Sequence, residues 1–138
     1  MRPVPRRRGE DGFSSVEVVI AIPVLVLVVM IMVAFGRAVT SRSDLANGVD
    51  AAARAGSLQR SYTAAIAAAQ QVLTADLAGV CDGGAHPAWP PASSFKPGGL
   101  FTVRVSCKVS LLGIPGLPAD VTLSQVGVAP LDPYRSIT

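Results

Sequence analysis

The sequence predicts an α+β protein with an N-terminal transmembrane helix, and three observations lead to this fold class. No residue from Val18 to Phe35 is charged, an alanine-rich stretch with helical spacing follows, and the last third contains alternating apolar and polar residues. A chain of 138 residues has room for one membrane segment and one small domain. We expect a basic leader at residues 1–12, a transmembrane helix at 13–36 and an α+β domain at 37–138.

The uncharged run is long enough to cross a bilayer as a helix. With the residues before it, it would span about 30 Å, whereas strands rarely exceed ten residues. Pro23 lies inside the run and removes a backbone donor, which predicts a kink unless the membrane helix simply tolerates it. The small residues Ala34 and Gly36 leave a second possibility, a secreted protein cut near Gly36.

The charge distribution predicts the orientation of this helix and excludes one class of partner. Four arginines precede the helix, which favours a cytoplasmic N-terminus and an extracytoplasmic domain from about residue 38. From Phe13 onward the chain carries eight Lys/Arg and seven Asp/Glu. This nearly neutral remainder lacks the basic face of a nucleic-acid-binding protein, so no nucleic-acid partner is expected.

The alanine-rich stretch at residues 43–78 predicts a second helix, because its apolar residues recur at spacings of three and four. Two arrangements of the first and second helices are possible. The first helix runs directly into this one, or it breaks near Ser41–Asp44, where Ser43 would cap a new start.

The rest of the chain predicts a loop followed by a β-hairpin. Glycine and proline are dense at residues 79–99, which favours a loop without regular structure. Residues 101–109 alternate as a half-buried strand does, turn residues follow, and a second strand is expected at 121–128. Its alternation slips near Gln125–Gly127, as a bulge or an edge position would allow. Because a lone hairpin is barely stable, it should pack on the alanine-rich helix.

Few residues suggest a disulfide, a metal site or a catalytic site. Cys81 and Cys107 both follow the membrane helix, so export favours a disulfide between them over two unpaired thiols. His86 is the only histidine and has no second imidazole with which to complete a zinc site. No nucleophile elbow or phosphate-binding loop is present. We expect a non-enzymatic protein with no metal, no cofactor and no small-molecule substrate.

The N-terminal third resembles a known family. A basic leader ending in Gly12, an apolar Phe13, Glu17 at the fifth position after Gly12 and an unbroken apolar helix resemble type IV prepilin-like signals. The wider pattern is similar to TadE-like proteins, the minor pilins or pseudopilins of the tight-adherence (Tad/Flp) pilus. The matching elements are Pro23-Val24-Leu25, Phe35-Gly36-Arg37, the Ala-Ala-Arg-Ala-Gly run at Ala52–Gly56 and, in actinobacterial relatives, Pro130–Arg135.

This resemblance implies a processing site and a role for Glu17. A prepilin peptidase would cut between Gly12 and Phe13, leaving a new amino group four residues from the Glu17 carboxylate. Glu17 would then pair with the N-terminus of its own or a neighbouring subunit and set how subunits dock, since an unpaired charge in lipid is costly. The alternative needs no partner, because a carboxylate in the first helical turn is stabilised by exposed backbone N–H groups.

The resemblance also implies a structural function and its partners. The mature chain would support initiation or assembly of a Tad/Flp pilus, together with other pilin or pseudopilin subunits and the Tad assembly machinery. The alternative is an unprocessed, single-span protein that displays a binding or assembly-accessory domain outside the membrane. Retention of the leader would favour that alternative.

Overall fold

The computed structural model describes residues 15–113, 119–134 and 136 and has the expected α+β architecture. Helix α1 (Ser15–Ser57) is followed by helix α2 (Tyr62–Asp76) and by strands β1 (Asp82–Ala88), β2 (Leu100–Ser110) and β3 (Asp120–Pro130). A short 3-10 helix, Ala92–Ser94, lies between β1 and β2. The chain forms two compact units that divide after Met32. The described residues of the first unit are all helical, and the second unit contains the sheet.

Helix α1 passes without a break through the positions where a new start was an alternative. Ser43 and Asp44 are exposed helical residues, whereas the next apolar positions, Leu45 and Val49, are fully buried. Burial of these two side chains outweighs the weak preference of serine and aspartate for helix caps. The arrangement in which the first helix continues is therefore confirmed. Pro23 also lies inside α1, and the kink expected there stays a prediction.

The helical chain breaks later than expected, so the prediction of one helix over residues 43–78 is wrong. It ends at Ser57 and restarts at Tyr62. Ser61 has extended backbone angles, and its hydroxyl oxygen accepts a hydrogen bond from the Ala64 N–H at 3.3 Å. This is the bonding of an N-cap, which satisfies one of the free N–H groups at a helix start.

The sheet has three antiparallel strands in the order β1-β2-β3. The β2–β3 hairpin is confirmed, and its register is regular from Leu100↔Pro130 to Ser110↔Asp120. The slip in alternation near Gln125–Gly127 therefore reflects the edge position of β3, and the bulge considered there is absent.

Strand β1 contradicts the prediction of a loop over residues 79–99. It pairs with β2 from Asp82↔Lys108 to Ala88↔Arg104, with a register shift between Asp82 and His86. Gly83 and Gly84 occupy this shift with φ of +79° and +91°, values that other residues rarely adopt. An edge strand can accommodate such a bulge and Pro87, because only one of its sides must bond to the sheet.

The core of the second unit lies between one face of the sheet and the two helices. Gly56 of α1 lies under the ring of Phe101, and Gly127 of β3 lies so close to α1 that a Cβ there would be 2.6 Å from the Val49 carbonyl oxygen. The buried residues are Leu45, Val49, Ala52, Ala53, Ala65, Ala69, Leu73, Leu77, Phe95, Phe101, Val103, Val105, Cys107, Val109, Ala129 and Leu131. Alanines and glycines on the helices thus allow the sheet to approach closely.

Candidate membrane and assembly site

The first unit presents a continuous apolar surface. Its large side chains are exposed, with 68% of Val19 and 67% of Leu25 accessible. Within the described residues, one helix is long and apolar enough to cross a membrane, and its most apolar window has no buried residue. Soluble monomers rarely expose a contiguous apolar surface of this size, so this surface is of the kind that lipid or other apolar helices cover in membrane proteins.

Glu17 lies in the first turn of α1, at the start of one apolar stripe. The stripe follows helical spacing along a single face and consists of Ile20, Ala21, Val24, Leu25, Val28, Val29 and Met32. The Glu17 side chain is exposed, and no described residue forms an ion pair with it. A helix packed against this stripe would therefore meet one carboxylate at its N-terminal end and only apolar side chains beyond it.

The proposed processing site lies outside the described residues. Gly12, Phe13 and the rest of the basic leader belong to residues 1–14, which the structure does not describe. A cut there would leave the amino group of Phe13 four residues before Glu17 in the chain. The pairing of that amino group with Glu17 remains a prediction.

The second unit contains the expected disulfide between Cys81 and Cys107, with Cα atoms 5.4 Å apart. It joins the turn after α2 to the central strand β2. Next to it, the Asp82 carboxylate accepts a hydrogen bond from the Ser110 N–H at 2.7 Å. Covalent and polar links thus hold the bulged end of β1 on the sheet.

The described residues contain no group of three or more His, Cys, Asp or Glu side chains that could hold a metal ion. His86 lies exposed in β1. Its nearest sequence neighbours in the strand are alanine and proline, which offer no side-chain ligand.

A comparison with protein families is informative for the N-terminal segment. Residues 12–54 match the family model described as TadE-like protein. This segment is TadE-like. The resemblance inferred from the sequence is thereby confirmed, and the match contains Gly12, Glu17, Pro23 and the Phe35-Gly36-Arg37 element. No curated protein and no solved structure matches the chain.

The TadE-like segment coincides with one structural element. It extends over nearly all of α1 and stops at Arg54, three residues before the helix ends at Ser57. It therefore contains both the exposed apolar surface and the buried positions Leu45 and Val49. TadE-like proteins are structural components related to the Tad pilus and are not known for enzymatic activity. The TadE-like segment and the one candidate span among the described residues together fit a single-pass membrane protein.

One pair of neighbouring residues was missed by sequence reasoning. Arg37, in the Phe-Gly-Arg element, places its guanidinium against Gly113 at the end of the β2–β3 hairpin, where a Cβ would collide with Nη1. Gly113 has φ of +60°. The signals were separate, a family element and a turn glycine, and nothing in their spacing predicted that they would meet.

Proposed function

We propose that the chain is a minor pilin or pseudopilin-like subunit that supports initiation or assembly of a Tad/Flp-type pilus after prepilin peptidase has cut between Gly12 and Phe13. The observation that carries this proposal is the position of Glu17 in a TadE-like segment, as the charged residue at the head of an exposed apolar stripe. A helix serving only as an anchor would need the apolar surface but no carboxylate on it.

The carboxylate would act through the amino group that processing creates. When the stripe of one subunit packs against apolar helices of other subunits, Glu17 leaves water and needs a cationic partner. The N-terminus of a neighbouring chain supplies that charge in one axial register. Apolar packing would then provide the affinity, and the ion pair would set the stagger between subunits.

The predicted topology is consistent with this role. The arginines of the leader hold the N-terminus in the cytoplasm, where the active site of the peptidase would have to meet it. The second unit then lies outside, and its Cys81–Cys107 disulfide is of the kind that persists in oxidising compartments.

Intact-mass measurement of the chain from cells with and without the prepilin peptidase tests the processing step. With the peptidase, the mass should correspond to a chain beginning at Phe13, with any N-methylation visible as an added mass. Without it, the leader should remain. Gly12→Val should block the cut, and Gly9→Val, a matched glycine change inside the leader, should leave the cut unaffected.

The same measurement separates the proposal from its alternative. A chain that keeps Met1–Gly12 in peptidase-containing cells would contradict processing and support a permanently anchored extracytoplasmic domain. A soluble product that begins near residue 37 would indicate a cleaved secretory signal instead.

A further inference from the structure

The end of the β2–β3 hairpin lies against the first charged residue after the membrane run. The residues that the structure describes at this end are Leu111, Leu112, Gly113 and Ala119. Two hydrogen bonds hold it, from the Leu111 N–H to the Ala119 carbonyl at 3.0 Å and from the Gly113 N–H to the Ser110 hydroxyl oxygen at 3.3 Å. Gly113 is the residue that contacts the Arg37 guanidinium.

This contact fixes the level of the hairpin end along α1. Arg37 follows directly after Gly36 and is the first charged residue after Glu17 in the chain. Because α1 is one helix through this region, residues next to Arg37 lie at the level where the uncharged run ends. For a helix inserted in a bilayer, that level is the boundary between acyl chains and headgroups.

The chemistry of the surface at this level suits such a boundary. Phe35 and Val39 lie two residues before and after Arg37, towards the other side of the helix, and are 70% and 68% exposed, so apolar side chains at this level are open to lipid. Leu111 and Leu112 add two half-buried leucines from the hairpin end. Of the nearby carboxylates, Asp120 pairs in register with Ser110 and Asp82 accepts a hydrogen bond from the Ser110 N–H, so both lie at the level of Ser110, before the leucines along β2.

We propose that the hairpin end is a second membrane contact, which docks on the headgroup region of the leaflet where α1 leaves the bilayer. Leu111 and Leu112 enter the boundary between headgroups and acyl chains, and the Arg37 guanidinium reaches lipid phosphates from the same place. The occupant is lipid because the hairpin end contacts α1 at Arg37, where the uncharged run of the sequence ends. The inference rests on membrane insertion of α1 as part of the proposed function, and it does not require processing or pilus assembly.

Tryptophan quenching in nanodiscs holding one full-length chain each tests this contact. The lipid is phosphatidylcholine brominated near the headgroup end of its acyl chains, compared with the same lipid without bromine. The test variant is Leu112→Trp in a Trp89→Phe background. Its emission should be lost in the brominated lipid, because bromine quenches tryptophan only on close approach.

Two matched variants in the same background make the result interpretable. The first is Leu100→Trp. Leu100 is exposed and lies at the opposite end of β2, about 33 Å away along an 11-residue strand. A tryptophan at position 100 should therefore keep its emission. Val28→Trp lies on the apolar helix and reports insertion itself. The wild-type chain, in which Trp89 lines the same cavity as Leu100, is a further unquenched reference.

Two outcomes would overturn the inference. Quenching of Val28→Trp without quenching of Leu112→Trp would show an inserted helix with a hairpin end away from lipid. Absence of quenching for Val28→Trp would contradict insertion of α1 in the bilayer. It would therefore also contradict the contact between the hairpin end and lipid.

Discussion

Gly56 of α1 lies directly beneath the aromatic ring of Phe101 on β2. A Cβ at position 56 would collide with Cε1 of that ring, and Phe101 is itself fully buried. We therefore expect Gly56→Ala to lower the free energy of unfolding of the second unit by about 1–3 kcal/mol, the usual cost of overpacking a core. Thermal unfolding of the full-length protein in detergent, followed by the circular dichroism of the sheet, measures this change.

Gly36 provides the control for this effect. It lies in the same helix, but a Cβ added there would meet no atom within 4 Å. Gly36→Ala should therefore raise stability, by up to about 1 kcal/mol from helix propensity. If the two substitutions have equal effects, the packing of Gly56 against Phe101 does not constrain the fold.

Ser61 and Ser43 give a paired test of where the helical chain breaks. The Ser61 hydroxyl caps α2, whereas Ser43 is an exposed residue inside α1. Ser61→Ala should cost about 1 kcal/mol of stability through loss of the cap, and Ser43→Ala should be neutral or slightly stabilising. Chemical denaturation of the two variants beside the wild type provides the measurement. A larger loss for Ser43→Ala would place a helix start near that residue.

The Cys81–Cys107 disulfide closes a loop with a sequence separation of 26 residues. Replacing both cysteines with alanine should reduce the free energy of unfolding by about 2–4 kcal/mol, because the unfolded chain gains freedom. Reduction of the wild type with dithiothreitol should produce a loss of similar size and should leave the double variant unchanged. Equal stability of the oxidised wild type and the double variant would show that the bridge does not stabilise the native fold.

Local patterns in the sequence were sufficient to predict the elements that have a strong periodicity. The alternation of Phe101, Val103 and Val105 predicted β2 because a half-buried strand needs that period. The cysteines could be paired by count and expected compartment, without knowledge of geometry. Glu17 is conspicuous because it stands directly before a long uncharged run.

Features that depend on tertiary contacts were not predictable in the same way. Gly83, Gly84 and Pro87 disfavour regular structure locally and predict a loop, yet pairing with β2 stabilises these residues as a bulged edge strand. Similarly, the approach of Arg37 to Gly113 joins residues 76 positions apart. No periodicity in the sequence relates two such positions.

Glu17→Gln tests whether the carboxylate sets subunit docking. The substitution keeps the shape of the side chain but removes the charge that would pair with the amino group of Phe13. Loss of one partner of a buried ion pair costs about 3–5 kcal/mol, so incorporation into sheared pili or pilin complexes should fall at least tenfold. Membrane insertion should be unchanged, since an amide at the interface does not impede it.

Asp50→Asn is the matched control, because Asp50 is an exposed acid on the same helix, within the second unit. It should leave incorporation at the wild-type level, which separates a local effect at Glu17 from a general loss of negative charge. Quantitative immunoblotting of the membrane and surface-assembly fractions measures both variants. Equal incorporation of Glu17→Gln and wild type would show that the carboxylate serves only the first helical turn, through its backbone N–H groups.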